Sequence, residues 1–138
     1  MLDSDRCPSF LYVEDDPPSR EIIRVVLTRI VKTSIFFIFE DSTNFRERVG
    51  VLPVVPDVAL LDIQMEPLDG YEMLRILRSE PRFTNTRIVA MTASVMTSEI
   101  ARLKDAGFDG LIGKPIAHKM FMGKIRQILA GEQVWTVM

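Results

Sequence analysis

The chain has 138 residues, 17 Lys and Arg against 19 Asp and Glu, a formal net charge of -2 and a hydrophobic fraction of 47%. A chain of this size buries enough apolar surface to fold without disulfides or a metal. Its single cysteine, Cys7, excludes an intramolecular disulfide and favours a reducing compartment. The near-neutral charge argues against a broad basic surface for nucleic acid or anionic lipid.

The beginning of the chain does not have the pattern of an export signal. Asp3, Asp5 and Arg6 fall where such a signal needs a continuous apolar segment. The later apolar runs are much shorter than the roughly 20 residues needed to span a bilayer. We therefore expect a cytoplasmic protein that does not bind membranes.

Short apolar runs alternate with segments of helical periodicity from one end of the chain to the other. The first run, residues 10–13, precedes an acidic cluster and a predicted helix at 19–31. A second strand is predicted at 35–39, followed by a short helix at 41–49. Charged residues flank this second run, Lys32 before it and Glu40 and Asp41 after it, and we interpret them as protection of a sheet edge.

The alternation continues in the second half of the chain. Strands are predicted at 58–61, 88–91 and 111–113, and helices at 71–78, 98–106 and 118–129. Five strands alternating with five helices predict a three-layer α/β fold around a parallel sheet. We expect a single domain over residues 1–138, with its core from about 9 to 131 and a short apolar tail at 132–138. The tail either folds back onto the domain or supports a homodimer.

Polar residues follow four of the predicted strands. They are Glu14 and Asp15 after the first, Asp62 after the third, Thr92 after the fourth and Lys114 after the fifth. The carboxyl ends of parallel strands lie at one edge of a sheet, so these groups should converge there. Clustered carboxylates repel one another unless a cation neutralises them, and Mg²⁺ is the ion that suits one or two carboxylates with open positions for phosphate.

Such a cluster has the groups needed to accept a phosphoryl group. Asp62 would be the nucleophile, and Lys114 and Thr92 would contact the phosphoryl oxygens. Each residue also has an ordinary interpretation when taken alone. The acidic triplet at 14–16 suits a helix N-terminus, Thr92 suits a strand end, and Lys114 suits the surface.

In combination, these motifs resemble the receiver domain of two-component response regulators. The resemblance covers about residues 9–131 and rests on the segments VEDDP at 13–17, DIQM at 62–65 with DG at 69–70, MTA at 91–93, AG at 106–107 and KP at 114–115. Four strand ends that match in order make it specific.

The resemblance implies a flavodoxin-like fold with strand order 2-1-3-4-5, the order that is known for this class. It implies that Asp62 is the phosphoacceptor. It also implies that Glu14, Asp15 and Asp62, with the backbone carbonyl of Gln64, hold Mg²⁺, for which Mn²⁺ can substitute. Thr92 and Lys114 would contact the phosphoryl group, and the peptide bond before Pro115 would be cis.

The resemblance further implies the partners. A sensor histidine kinase or a phosphotransfer protein would donate the phosphoryl group, and a downstream protein would bind the face formed by the fourth helix, the fifth strand and the fifth helix. Direct DNA binding is not expected. The chain would catalyse only its own phosphorylation and dephosphorylation, so it would not be an enzyme in the usual sense.

Three positions depart from the common pattern of this family, and one of them, Ile116 in place of a frequent aromatic residue, we interpret as a variation in packing. Glu66 stands where many receivers have proline, and Pro67 follows one place later. Leu111 stands where an aromatic residue often acts as a switch together with the threonine, here Thr92. A leucine cannot make that aromatic movement, so the route by which a signal would leave the site is open.

Three other functions differ from that of a phosphorylated receiver in what they require of the sequence. A pseudo-receiver that acts only as a binding module differs from a receiver in lacking phosphorylation. A phosphatase of the haloacid dehalogenase type carries its nucleophile after the first strand in an Asp-x-Asp pattern and has a cap, for which this chain has no room. A flavodoxin needs hydroxyls and glycines after the first strand, where this chain is acidic.

Overall fold

The computed structural model describes residues 7–93, 96–116 and 118–135, and the predicted alternation of strands and helices is present in them. The strands are β1 (Phe10–Val13), β2 (Phe36–Phe39), β3 (Val58–Asp62), β4 (Arg87–Thr92) and β5 (Gly110–Gly113). The helices are α1 (Pro17–Val25), α2 (Phe45–Gly50), α3 (Gly70–Ser79), α4 (Thr97–Ala106) and α5 (His118–Leu129). A π-helical segment, Val26–Ile30, continues α1.

The five strands form one parallel sheet in the order β2-β1-β3-β4-β5, which confirms the predicted flavodoxin-like α/β fold. Strand β2 is an edge, as its flanking charges indicated. Val13 lies opposite Leu61, and Thr92 lies opposite Gly113. This register brings the carboxyl ends of β1, β3, β4 and β5 side by side.

Both faces of the sheet are covered, because successive residues of a strand point to opposite sides. Leu11 and Val13 belong to the apolar cluster on the side of α2, α3 and α4. Phe10 and Tyr12 belong to the cluster on the side of α1 and α5. All four residues of β1 are fully buried, so the end of this strand has a rigid base.

Helix α1 begins two residues earlier than predicted. Both prolines lie in its first turn, where their missing N–H groups cost nothing. Asp16 is the N-cap, and its carboxylate accepts bonds from the backbone N–H of Ser19 at 3.1 Å and from its hydroxyl at 2.6 Å. The capping interpretation of the acidic triplet therefore holds for its third member.

The prediction of a helix from residue 41 was wrong, since α2 begins at Phe45. Asp41 accepts a hydrogen bond from the backbone N–H of Thr43, and the Ser42 hydroxyl donates to the carbonyl of Leu68. These bonds between side chains and backbone give the segment a turn instead of a helical start. Asn44 then takes a left-handed conformation, with φ of 52°.

The C-terminal segment folds back as far as Trp135, while residues 136–138 lie outside the described part. Val134 forms a parallel bridge with Gly110 on the outer edge of β5 and is buried. Its carbonyl accepts a hydrogen bond from the N–H of Leu111 at 2.6 Å. The Lys104 ammonium of α4 lies 5.2 Å from the centre of the Trp135 ring. The segment thus covers part of the edge that β5 would otherwise expose.

Among the described residues, the helices are too short or too polar to cross a bilayer.

Substitution of Gly110 by alanine should detach this segment from β5. An added Cβ would lie 2.8 Å from the carbonyl oxygen of Val134, which is closer than contact distance. We expect Gly110→Ala to shift the emission of Trp135, the chain's single tryptophan, to longer wavelength and to lower the thermal midpoint.

Gly123→Ala is the matched control, because an added Cβ at this exposed position of α5 meets nothing within 4 Å. It should leave the emission unchanged and stabilise the protein by about 0.5–1 kcal/mol, the usual gain of alanine over glycine in a helix. Identical emission from wild type and Gly110→Ala would refute the pairing of Val134 with β5.

Candidate functional site

Three carboxylates meet at the carboxyl edge of the sheet. Glu14 and Asp15 directly follow β1, and Asp62 is the last residue of the neighbouring β3. One oxygen from each lies within 4.8 Å of the others. Glu14 is fully buried and Asp62 is 5% exposed, whereas Asp15 lies at the surface. The cluster therefore has a buried floor of two acids and an exposed rim.

One cation faces the two buried acids. The Lys114 ammonium lies 2.7 Å from Glu14 Oε1 and 3.2 Å from Asp62 Oδ2. The Lys114 backbone N–H donates to the carbonyl of Thr92 at 2.9 Å, which ties the end of β5 to the end of β4. The peptide bond from Lys114 to Pro115 is cis. The two buried carboxylates thus share the Lys114 ammonium group.

The two buried acids differ in how readily they ionise. Burial raises the pKa of Asp62 from 3.8 to about 7, and hydrogen bonding with Glu14 and the charge of Glu14 add to this, against the opposing effect of Lys114. Burial acts on Glu14 too, but hydrogen bonds from Asp62 and Lys114 hold the pKa of Glu14 below its usual range. Near neutral pH the pair therefore keeps much of one proton, and that proton resides on Asp62.

The lysine keeps its charge in this setting. Burial alone would lower the pKa of Lys114, but the carboxylates of Glu14 and Asp62 raise it on balance. One ammonium group cannot neutralise three carboxylates. Two guanidinium groups lie farther out: Arg20 donates to the backbone carbonyl of Glu14 at 3.0 Å, and Arg102 lines the adjoining cavity. Among the described contacts, neither reaches a carboxylate of the cluster, so the acids themselves are short of positive charge.

Glu14 is held by more than the lysine. The Tyr12 hydroxyl donates to Glu14 Oε1 at 2.9 Å, and the backbone N–H of Asp16 lies 3.4 Å from Glu14 Oε2. Tyr12 was not among the predicted site residues. Tyr12 and Glu14 are two residues apart on an extended segment, so they share one side of it, and this spacing was the signal available in the sequence.

The loop after β3 packs tightly against the strand end. The N–H of Gln64 donates to Asp62 Oδ1 at 3.1 Å, which fixes the carboxylate from the loop side. An added Cβ on Gly70 would lie 2.9 Å from Cα of Ile63, so only glycine permits this approach. The peptide bond between Glu66 and Pro67, the pair at which the sequence departs from the family pattern, is also cis. The metal-binding role of the Gln64 carbonyl stays a prediction.

A cavity of about 600 Å³ opens beside the acids, between the loop after β3 and helix α4. Asp15, Gln64 and Thr92 line it on the side of the cluster. Across the cavity, the Tyr71 hydroxyl of α3 donates to Glu99 of α4 at 3.1 Å. This space is large enough for a phosphoryl group and its waters.

Arg102 of α4 lies over the Tyr71 ring at 4.3 Å, and Phe108 meets the same ring edge-on at 5.8 Å. Tyr71 therefore connects α3 to α4 and to the start of β5. Leu111, the predicted switch partner of Thr92, is fully buried in the core. Thus the aromatic residue nearest to the cavity is on α3 and not on β5.

The structure brings together most of the residues singled out from the sequence. Glu14, Asp62 and Lys114 are in direct contact, Asp15 completes the acidic cluster, and Thr92 lines the adjoining cavity. Their roles in catalysis and metal binding stay predictions. Chemically, the cluster suits a hard divalent cation. Its potential ligands are carboxylate oxygens, and the cationic side chain in contact with them does not neutralise all three acids.

Comparisons with known proteins agree with this geometry. The family model described as response regulator receiver domain matches residues 10–126. The chain is 30% identical over 134 residues to response regulator Rre1 of Synechocystis, an alignment that covers 91% of this chain and 53% of that protein. It is 32% identical over 111 residues to hybrid signal transduction histidine kinase A of Dictyostelium discoideum, covering 77% of this chain and 5% of that protein.

Solved structures show the same fold. Chemotaxis response regulator CheY4 of Vibrio cholerae superposes with a TM-score of 0.77 at 18% identity, covering 90% of this chain and 99% of that one. A putative response regulator from Chloroflexus aurantiacus gives a TM-score of 0.78 at 22% identity, covering 91% and 99%. The chain spans about half the length of several curated relatives that it matches.

The family match covers all five strands and the acidic cluster at their carboxyl ends. The chain belongs to the family of response regulator receiver domains of two-component signalling.

Proposed function

We propose that this chain is a phosphorylation switch in which Asp62 accepts a phosphoryl group from a histidine kinase or phosphotransfer protein in a Mg²⁺-dependent reaction. The observation that carries the proposal is the charge of the site. Two buried carboxylates share the Lys114 ammonium, the exposed carboxylate of Asp15 lies beside them, and the pKa of Asp62 is raised to about 7. A site short of positive charge favours a divalent cation and then a phosphate.

The donor set fits this ion. Glu14, Asp15 and Asp62 offer hard oxygen ligands within 4.8 Å of one another, and the open cavity leaves space for waters. Bound Mg²⁺ would supply positive charge that favours ionised Asp62 and offsets the charge of the phosphoryl oxygens. The backbone N–H of Gln64 donates to Asp62 Oδ1, and the backbone carbonyl of the same residue would be a further ligand.

Asp62 acts as the nucleophile in this proposal. Its carboxylate oxygen forms a bond to phosphorus while the bond from phosphorus to the donor's imidazole nitrogen breaks, and the imidazole keeps the electron pair. Lys114 moves from the carboxylates to a phosphoryl oxygen, and Thr92 donates a hydrogen bond to another. Each residue is already within the cluster or its adjoining cavity.

The reaction would change the contacts of Thr92, the last residue of β4. Helix α4, strand β5 and helix α5 form the surface that would bind a downstream protein differently in the two states. With Leu111 buried, Tyr71 and its bond to Glu99 provide the aromatic connection from the cavity to α4. We expect no catalysis beyond gain and loss of the chain's own phosphoryl group.

Intact-mass spectrometry tests the acceptor. Incubated with acetyl phosphate and Mg²⁺, the wild type should gain the mass of one phosphoryl group, because Asp62 is ionised and faces Lys114 once the cation is bound. Asp62→Asn replaces the nucleophilic carboxylate with a neutral amide and should gain none. Omission of Mg²⁺ should abolish the gain in the wild type.

Two results would contradict the proposal in different ways. A wild type that stays unmodified under every donor and metal condition would indicate a pseudo-receiver that acts only by binding. A phosphoryl gain that persists in Asp62→Asn would mean that another residue is the acceptor.

The pH dependence of stability provides a second prediction. Between 3.8 and about 7, folded Asp62 holds a proton that the unfolded chain has released, so the free energy of unfolding falls as pH rises through this window. Asparagine does not titrate, so the free energy of unfolding of Asp62→Asn should not fall in this way. In EDTA the variant should therefore unfold a few degrees above wild type at about pH 8, with the difference shrinking toward pH 5.

Asp41→Asn is the control, because the pKa of Asp41 is shifted in the opposite direction to that of Asp62. A hydrogen bond from the backbone N–H of Thr43 holds the pKa of exposed Asp41 below its usual range, so this variant should gain nothing at alkaline pH. If Asp62→Asn were no more stable than wild type at pH 8, Asp62 would not carry the raised pKa on which the site's charge depends.

A further inference from the structure

We propose that Tyr12 is a positioning residue for the metal site, whose hydroxyl holds the Glu14 carboxylate in place for the divalent cation. The inference rests on the proposed function, since it assumes that Glu14 is a metal ligand and that Lys114 moves to the phosphoryl group. It adds to the site a residue of the core, which reaches Glu14 from the apolar cluster on the side of α1 and α5. Tyr12 would not contact the phosphoryl group itself.

The geometry is that of a short and fully enclosed hydrogen bond. The Tyr12 hydroxyl lies 2.9 Å from Glu14 Oε1, and both residues are 0% exposed. A phenol keeps its proton near neutral pH, and an ionised carboxylate can only accept. The direction of the bond is therefore fixed, from Tyr12 to Glu14.

The Tyr12 ring is itself immobilised. It lies in the apolar cluster on the side of α1 and α5, together with Ile23 of α1 and Phe121 and Ile125 of α5. Tyr12 is also part of β1, which is paired on both sides by β2 and β3. The hydroxyl thus has a fixed position, as a group needs if it is to orient a metal ligand.

The other described partners of the Glu14 carboxylate are weaker than Tyr12 or change in the proposed reaction. Asp62, which shares a hydrogen bond with Glu14, becomes a metal ligand and the nucleophile. Lys114 shares Oε1 with Tyr12 at 2.7 Å, but in the proposed reaction its ammonium moves to the phosphoryl group. The backbone N–H of Asp16 is 3.4 Å from Oε2, at the long end of hydrogen-bond distances. Among these contacts, Tyr12 is the strong donor that stays in place through the whole cycle.

A buried carboxylate that loses a hydrogen-bond donor is destabilised, and it turns toward other partners. Such a turn would withdraw Glu14 from the cation. The Tyr12 hydroxyl prevents this, because it holds Oε1 from a fixed position in the core.

The test is the affinity of the unphosphorylated protein for Mg²⁺, measured by titration calorimetry on wild type and Tyr12→Phe. Loss of a hydrogen bond to a metal ligand typically weakens metal binding about 10- to 100-fold, and we expect a loss in that range. The phosphorylation rate at saturating Mg²⁺ should stay within about twofold of wild type, since Tyr12 does not touch the phosphoryl group.

Tyr71→Phe is the matched control, because it deletes the same group from the chain's other tyrosine. The Tyr71 hydroxyl donates to Glu99 of α4 and not to an acid of the cluster. Its removal should change the Mg²⁺ affinity by less than about twofold. A double-mutant cycle adds a second control: in a Glu14→Gln background, Tyr12→Phe should cost almost nothing further, because Tyr12 acts through Glu14.

A spectroscopic measurement covers the case in which Tyr12→Phe does not fold. In Tyr71→Phe, Tyr12 is the single tyrosine, so its ring Cζ gives one carbon NMR signal. This signal should move during a Mg²⁺ titration with the same midpoint that calorimetry gives. A signal that stays still while the metal binds would overturn the assignment.

The outcomes separate this inference from the proposed function. Normal Mg²⁺ binding by wild type and equal binding by Tyr12→Phe would overturn the role of Tyr12 alone. A wild type that binds no Mg²⁺ would overturn the metal requirement of the proposed function, and the role of Tyr12 with it.

Discussion

The repulsion among carboxylates at the carboxyl edge of the sheet is the constraint on which the rest of the site depends. The parallel pairing of β1 with β3 places Glu14 and Asp15 beside Asp62, and among the described contacts the Lys114 ammonium faces the two buried acids. Burial adds to this repulsion, because it too disfavours the ionised form of Asp62. Burial and Glu14 together raise the pKa of Asp62 to about 7. Three ionised carboxylates at this edge are thus unfavourable in charge, and a cation or a proton relieves their repulsion.

A site under this repulsion needs rigid support. Strand β1 is fully buried, Tyr12 donates to Glu14 from the core, and the N–H of Gln64 holds Asp62 from the loop. The long side chain of Lys114 is the adaptable part, because in the proposed reaction its ammonium would exchange a carboxylate for a phosphoryl oxygen without a change in the backbone. Fixed acids and a movable cation would together allow one site to hold the two proposed states.

The fold and most of the site could be predicted because their signals are local. Apolar runs mark the strands, and polar residues at the strand ends mark the edge where they converge. The start of α2 could not be predicted, because it depends on the bond from Ser42 to Leu68, 26 residues apart. Pairing of Val134 with Gly110 is equally nonlocal. Tyr12 was missed although its spacing from Glu14 was readable, because an aromatic residue in a strand is usually core.

The most direct test of the central claim is the titration of the Asp62 carboxyl group itself, followed by carbon NMR with and without Mg²⁺. We predict an apparent pKa near 7 in EDTA and a marked fall when Mg²⁺ is added, since the cation replaces the proton. An Asp62 that titrates near its ordinary 3.8 in EDTA and does not respond to Mg²⁺ would show that charge repulsion does not govern this site.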